Sequence, residues 1–293
     1  MIRDRLTAAL PDQIKVGYGT LYIHTNRGIE YIDAFASLPY IDRLSDVGVA
    51  TFIFSMFASL AVLVVTGLST LQSPPEPTAA QDPVNLLAIP GLNDFLPVAA
   101  TAYIVIALVI ATGVHELAHG ITMRSADVTV EEVGIVTLLV VPIAAYVMPD
   151  EEEYENASVH SRARILSAGV FANLLVFAVT SFLFLLPGSG SAIEAFLAYF
   201  GSVYGGGAPA AEAVASLGVV TNVLFWTWFF NLNLAFVNAL PVMTLDGGRV
   251  AGLLGELVPT PFSTSVTATA IMGVTTIGTA GVFVIAVFGP LFL

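Results

Sequence analysis

Five long stretches of the sequence contain mostly apolar residues and no charged one. They cover residues 47–68, 95–114, 165–187, about 217–240, and 266–293. Each is close to the roughly 20 residues that a helix rising about 1.5 Å per residue needs to cross the hydrocarbon core of a bilayer. The pattern therefore predicts five transmembrane helices. Residues 250–258 could add a short sixth element, an interfacial helix or a re-entrant loop.

The polar segment before the first stretch shows a different pattern. Within residues 1–46, apolar positions alternate at Leu21, Ile23, Ile29 and Tyr31 around the sequence "TNRG". Such alternation is typical of half-buried strands joined by a turn. It predicts a small hairpin whose turn lies at residues 26–28.

Residues 133–148 form an apolar segment between two polar stretches. The segment has only sixteen residues and includes Pro142, so it is too short to cross a bilayer and return as helices. It is therefore predicted to be re-entrant.

The composition agrees with a membrane protein and suggests its orientation. Hydrophobic residues make up 56% of the chain and charged residues 11%, which excludes an ordinary soluble domain. Basic residues occur before the first apolar stretch, between the second and third, and after the fourth, whereas residues 69–94 and 188–216 contain none. Because basic loops remain in the cytoplasm, we expect the N-terminus inside and the C-terminus outside.

The chain is acidic, with 22 Asp and Glu against 9 Lys and Arg. This surplus is typical of a solvated surface adapted to high salt, although binding of cationic partners would leave the same signature. The sequence contains no cysteine, which excludes disulfides and thiolate metal sites.

The stretch "ATGVHELAHGIT", residues 111–122, places polar side chains at the end of an apolar run. His115 and His119 are four residues apart, so they share one face of a helix, where two imidazoles can bind one metal ion. Glu116 lies beside that face and could accept a proton from water at the metal. A lone histidine on an apolar helix is more often a core residue, but the HExxH spacing favours a metal site.

Two histidines leave a tetrahedral zinc ion one protein ligand short. Asp246 is the best candidate because it lies in "NALPVMTLDGGRV", where Pro241 ends regular helix and two glycines permit an irregular backbone. Asp246 could instead cap an ordinary juxtamembrane turn. Glu131 and Glu132 are weaker alternatives as ligands.

A third polar patch lies in "SAGVFANLL", residues 167–175, which contains Asn173. Asn173 is nine residues from Arg164, as His115 is from Arg124, so both lie about 13 Å from the inner charged boundary. Asn173 could donate a hydrogen bond to a developing oxyanion or hold a substrate strand. A hydrogen bond between helices, packed beside small residues, is the alternative.

Taken in order, "HELAHG", "SAGVFANLL" and "NALPVMTLDGG" resemble the motifs of the site-2 protease family of intramembrane zinc metalloproteases, over about residues 95–250. The resemblance implies that Glu116 activates water. It also implies that Zn²⁺ is bound by His115, His119 and Asp246.

Other parts of the sequence fit the same family. Asn173 corresponds to the asparagine of the family's third element, while Asn238 and Pro241 fit its NxxP lead-in to the aspartate. The family's usual SAGP reads SAGV here, which removes a proline that starts or kinks a helix. In the family, the region matching residues 133–148 forms β-structure beside the active site, where an edge strand could pair with substrate. A buried plug that does not contact substrate is the alternative.

The implied architecture is an all-α polytopic membrane protein with five to six transmembrane helices, a three-helix catalytic core and a small re-entrant β element. Residues 1–46 would form a cytoplasmic segment, residues 47–94 the first helix and an outer loop, residues 95–250 the catalytic core, and residues 251–293 a C-terminal membrane region. The resemblance is to a short form of the family, without the PDZ or CBS domain that many members carry.

The implied function is regulated intramembrane proteolysis in the cell membrane. The chain would hydrolyse a peptide bond in or near the transmembrane segment of single-span membrane proteins, from a site toward the cytoplasmic side, with the lipid bilayer but no nucleic acid as a partner. The alternatives are a metal transporter and a non-catalytic relative that binds membrane helices. A transporter should carry ligands on several spans, yet His24 and His160 fall in predicted cytoplasmic segments.

Overall fold

The computed structural model describes residues 11, 13–16, 20–87, 89–138, 141–186, 193–194, 196–197, 199 and 217–293. They divide into two compact units. The first combines the described residues up to Thr51 with Thr112–Ala172, and the second combines Phe52–Ala111 with the described residues from Asn173 to Leu293.

Helices make up most of the described chain. In order they are α1 (Ile29–Ala36), α2 (Ile41–Gln72), α3 (Thr101–Ser125), α4 (Glu151–Asn156), α5 (Val159–Phe184), α6 (Val219–Ala239), α7 (Asp246–Glu256) and α8 (Thr264–Phe288). Five of them are long and apolar enough to span a membrane: α2, α3, α5, α6 and α8. The prediction of an all-α membrane protein with five spanning helices is confirmed for the part of the chain that the structure describes.

Several helices extend beyond the apolar stretches that predict them. Helix α2 begins at Ile41, inside the charged segment before the first stretch. There the Arg164 guanidinium of α5 donates to both carboxylate oxygens of Asp46, at 2.7 and 2.8 Å, and to Asp42 at 3.3 Å. The bidentate geometry fixes the beginning of α2 against the beginning of α5. The apolar pattern therefore marks the part of each helix suited to lipid rather than its full length.

A four-stranded antiparallel sheet belongs to the first unit. Its strands are β1 (Ile14–Val16), β2 (Thr20–Thr25), β3 (Val130–Leu138) and β4 (Val141–Pro149), arranged in the order β1-β2-β3-β4. His24 pairs with Gly134 across β2 and β3, and Ile135 with Ala145 across β3 and β4. The segment predicted to be re-entrant is thus a β-hairpin, as the family resemblance implied.

A buried carboxylate joins three strands of this sheet. Glu132 on β3 accepts a hydrogen bond from Lys15 Nζ of β1 at 2.7 Å, and its second oxygen lies 2.6 Å from His24 Nδ1 of β2. Lys15 is the only lysine in the sequence. A carboxylate that is 9% exposed needs such partners, because an uncompensated buried charge is strongly destabilising.

The prediction of a hairpin with its turn at residues 26–28 is wrong. Strand β2 pairs with β1 and β3 instead, and the chain after the turn is helix α1. Gly28, with a φ of 95°, begins the helix, and its N–H donates to the Glu30 carboxylate at 3.0 Å. Ile29, Ile32 and Ala36 follow helical spacing, and Ile32 is buried. The alternation of apolar residues after the turn, at Ile29 and Tyr31, was therefore too short to specify a strand.

Residues 250–258, the possible sixth element, lie mostly within α7. This helix has eleven residues, which extend about 16 Å and cannot cross a hydrocarbon core of about 30 Å. It packs closely on α8, since a Cβ at Gly252 would lie 3.0 Å from Met272 Sδ. Helix α7 is therefore a short helix that does not span.

The second unit has an aromatic core around α6. Phe225 and Trp226 are fully buried and cluster with Ile104 of α3. One turn further, Trp228 Nε1 donates to Ser181 Oγ of α5 at 2.8 Å. These contacts fix α6 in the second unit by aromatic packing and one hydrogen bond.

Gly134→Val should destabilise the sheet. A Cβ at Gly134 would lie 2.6 Å from the Ile23 carbonyl oxygen and 2.6 Å from the Tyr146 ring, so the substitution should cost about 1–3 kcal/mol. Thermal unfolding in detergent measures the change. Gly278→Val is the matched control, because a Cβ there meets nothing within 4 Å, and equal midpoints for the two variants would contradict the prediction.

Candidate metal centre

His115 and His119 lie one turn apart on α3. Their side chains are buried, with residue exposures of 5% and 7%, and their ring centroids are 4.8 Å apart. The face shared by the two imidazoles follows from the helical repeat, as predicted. Two nitrogen donors of the kind that zinc prefers are thus held together away from water.

The carbonyl group of Ile165 orients the second of these rings. His119 Nδ1 lies 2.6 Å from the Ile165 oxygen. A carbonyl can only accept a hydrogen bond, so Nδ1 must carry the proton, and Nε2 keeps its lone pair for a metal ion. Helix α5 therefore fixes both the orientation and the tautomer of His119.

Gly169, the glycine of "SAGV", makes room for the first ring. A Cβ at this position would lie 2.5 Å from His115 Nε2 and 2.6 Å from two other ring atoms. No side chain larger than hydrogen fits there without moving the imidazole. Gly169 lies one turn after Ile165, so successive turns of α5 contact successive histidines of α3.

Asp246 is the first residue of α7 and is 9% exposed. Its carboxylate benefits from the positive end of the helix dipole. The two glycines that follow Asp246 let the first turn of α7 pack closely on the preceding loop. A Cβ at Gly247 would lie 2.3 Å from the Leu240 carbonyl oxygen, and a Cβ at Gly248 would lie 2.1 Å from the Val242 carbonyl oxygen. The glycine pair of "LDGG" thus fixes where Asp246 begins the helix.

The ligand atoms of His115, His119 and Asp246 all lie within 4.8 Å of one another. Two imidazoles and a carboxylate form a donor set suited to zinc and would fill three of the four positions of a tetrahedral site. Burying a carboxylate in apolar surroundings is costly unless a cation balances it. The residues present therefore fit a Zn²⁺ ion.

The weaker ligand candidates lie outside this group. Glu132 binds Lys15 and His24, and Glu131 is solvent-exposed. Among the residues that the structure describes, no second group of histidine and acidic side chains has a metal-binding arrangement. Glu116 is half-buried on α3, between the two histidines in sequence.

Asn173 joins three helices through its side-chain amide. Its Nδ2 donates to the Ala111 carbonyl of α3 at 2.8 Å and to Asn231 Oδ1 of α6 at 2.9 Å. Asn231 Nδ2 in turn donates to the Thr227 carbonyl at 2.7 Å, and both asparagines are fully buried. These bonds correspond to the interhelical alternative for Asn173, while its catalytic role stays a prediction.

Sequence reasoning did not identify Asn231. Its only signal is an amide within the apolar segment "FFNLN", where Asn233, two residues later, is exposed. A single sequence cannot distinguish these two asparagines, because only the packing of α6 decides which one is buried.

Comparison with known proteins agrees with this chemistry. The sequence matches peptidase family M50 over residues 103–280, and the chain belongs to this family, the site-2 protease family of zinc metalloproteases. It is 29% identical to an uncharacterized protein of Methanocaldococcus jannaschii, in an alignment that covers 53% of this chain and 57% of that protein. The chain thus spans just over half the length of this curated relative. No solved structure matches the chain.

Gly169→Ala should weaken zinc binding by about 10- to 100-fold, the range typical of lost support for a metal ligand. The added methyl group would displace the His115 ring. Competition with a zinc chelator measures the affinity. Gly113→Ala is the control on α3, since a Cβ there meets nothing within 4 Å. Wild-type affinity in the Gly169 variant would show that the ring tolerates the displacement.

Asn231→Leu should lower stability by about 1–3 kcal/mol, because the Asn173 amide would lose a buried acceptor. Replacing both asparagines by leucine should cost less than the sum of the single changes, since no lone amide remains. Thermal unfolding provides the double-mutant cycle. Asn233→Leu, at an exposed position whose amide donates to the Phe229 carbonyl of the same helix, should be close to neutral. Strict additivity of the two core substitutions would contradict the coupling.

Proposed function

We propose that the chain is an intramembrane zinc endopeptidase that cleaves a peptide bond in or near the transmembrane segment of single-span membrane proteins. The observation that carries this proposal is the buried group of His115, His119 and Asp246, with Glu116 on the same helix, in a member of peptidase family M50. We further propose that the cleavage belongs to regulated intramembrane proteolysis.

The protein supplies a preorganised donor set. Zinc, when bound there, acts as a Lewis acid that polarises a carbonyl group and makes water reactive at neutral pH. His119 is held by the Ile165 carbonyl and His115 lies over Gly169, so neither ring needs to reorganise on binding. Asp246 adds the negative charge that offsets part of the charge of the ion.

Glu116 is the proposed general base. It would accept a proton from the attacking water and later deliver a proton to the leaving amine, as a carboxylate beside a Lewis acid can do. Asn173 is the proposed donor to the developing oxyanion. Its Nδ2 is bonded to Ala111 and Asn231, so this role would require it to exchange one of those bonds during the reaction.

The substrate must become extended before it is cut, because backbone hydrogen bonds shield the peptide bonds of a helix. Strand β4 is an edge of the sheet in the part of the chain that the structure describes. An unwound substrate segment could add to this edge through backbone hydrogen bonds. Substrates with small or helix-destabilising residues near the cleavage point should therefore be preferred.

The proposed location is the cell membrane, with the N-terminus and the active site toward the cytoplasm. The support for this orientation is the distribution of basic residues: Arg124 lies in the last turn of α3, and Arg162 and Arg164 lie near the beginning of α5. The polar segments around residues 124–164 and 241–250 are the proposed entrance for water.

Glu116→Gln should abolish cleavage while leaving zinc binding intact. Loss of the general base should lower the rate by about 10²- to 10⁴-fold, whereas glutamine preserves the size of the side chain. Co-expression with a panel of tagged single-span membrane proteins, followed by detection of shortened products and measurement of bound zinc, tests both expectations.

Asp246→Asn is the companion variant, and it should lose zinc and cleavage together. If the wild-type protein binds zinc but no shortened product depends on Glu116, the result would favour a transporter or a non-catalytic relative. A wild-type protein without zinc would overturn the mechanism at an earlier step.

A further inference from the structure

Helix α1 presents an apolar face that no other described part of the chain covers. Tyr31 is 66% exposed and Phe35 is 51% exposed, and Ala34 beside them is also exposed. Because these residues lie on adjacent turns, they form one face of the helix. Two large aromatic rings side by side on a water-facing helix are unfavourable, and such a face usually marks an interaction surface.

The opposite face of α1 is fixed to the end of a spanning helix. Ile32 is 2% exposed, and a Cβ at Gly120 of α3 would lie 3.2 Å from its Cδ1 atom. Arg124, one turn further along α3, donates from Nε to Asp33 Oδ1 at 2.5 Å. Helix α1 therefore lies beside the charged end of α3.

Only a short connection joins α1 to the spanning helix α2. Helix α1 ends at Ala36 and α2 begins at Ile41, so the connection can extend at most about 17 Å. The first turn of α2 carries Asp42 and leads into the apolar stretch of residues 47–68. Helix α1 is thus held between the polar ends of two helices that cross the bilayer.

We propose that α1 is an interfacial helix, with Tyr31 and Phe35 inserted at the boundary between lipid headgroups and acyl chains. Tyrosine suits this layer because its ring is apolar and its hydroxyl can remain hydrated. The position of α1 at the ends of two spanning helices puts its aromatic face at that depth, and an amphipathic helix there buries its apolar side in lipid. A soluble protein partner would have to compete with the bilayer for this face.

This anchor bears directly on the helix that carries the metal ligands. Gly120, which Ile32 contacts, follows His119 in the sequence. Insertion of α1 would therefore fix the depth of the turn of α3 that holds His119. The inference depends on the membrane location of the chain and not on its proposed peptidase activity.

The chain is suited to a direct test because it contains no cysteine. Single cysteines replacing Tyr31 or Phe35 would be spin-labelled in protein reconstituted into nanodiscs of one phospholipid. Collision rates with oxygen, which concentrates in lipid, and with a nickel chelate, which stays in water, report the depth of each label. Val62→Cys on α2, 57% exposed, provides the lipid reference, and Glu155→Cys on α4, also exposed, provides the water reference.

The proposal expects the oxygen-to-nickel collision ratio at both positions to be several-fold above that of Glu155→Cys and below that of Val62→Cys. A ratio equal to that of Glu155→Cys would place α1 in water and overturn the proposal. Protection from both reagents would mean that protein covers the face, which also overturns it. Ala34→Cys on the same face keeps the test open if an aromatic replacement unfolds, and size-exclusion chromatography verifies the fold of each variant.

Discussion

The antiparallel packing of α3 against α5 is the constraint on which the metal centre depends. Three contacts recur at intervals of one turn on both helices: Ala111 with Asn173, His115 with Gly169, and His119 with the Ile165 carbonyl. Each contact has a different chemistry, namely an amide hydrogen bond, a close approach over glycine and a bond that sets a tautomer. A slip of one residue along either helix would break all three, so the helix register and the ligand geometry are specified together.

Much of this arrangement could be predicted because its chemistry is local in sequence. Charge-free stretches indicate spanning helices, and the HExxH spacing places two imidazoles on one face whatever surrounds them. Asp246 could be predicted from its place in "NALPVMTLDGGRV", just after an apolar stretch, where a charge is costly without a partner. The ends of the helices were harder to predict. Helix α2 begins within a charged segment, and this segment is fixed by Arg164, which is distant in the sequence.

The features that could not be predicted depend on tertiary contacts. Residues 29–36 have apolar positions compatible with either a strand or a helix, and the burial of Ile32 over Gly120 distinguishes the two. Asn231 is one of several asparagines on α6, and only the arrangement of neighbouring helices buries its amide. The partners of Glu132 come from strands far away in the sequence, so a carboxylate that first resembled a possible metal ligand is in fact part of an ion pair.

That last ion pair has a consequence for biosynthesis. Lys15 and Glu132 are separated by 117 positions, so the ribosome makes β1 and β2 long before it makes β3. At about 5–20 residues per second, the early strands wait on the order of ten seconds for their partner strand. During that interval α2 and α3 are both synthesised in full. The exposed edge of β2 is then open to mispairing, and completion of the sheet must follow synthesis of the spanning helices α2 and α3.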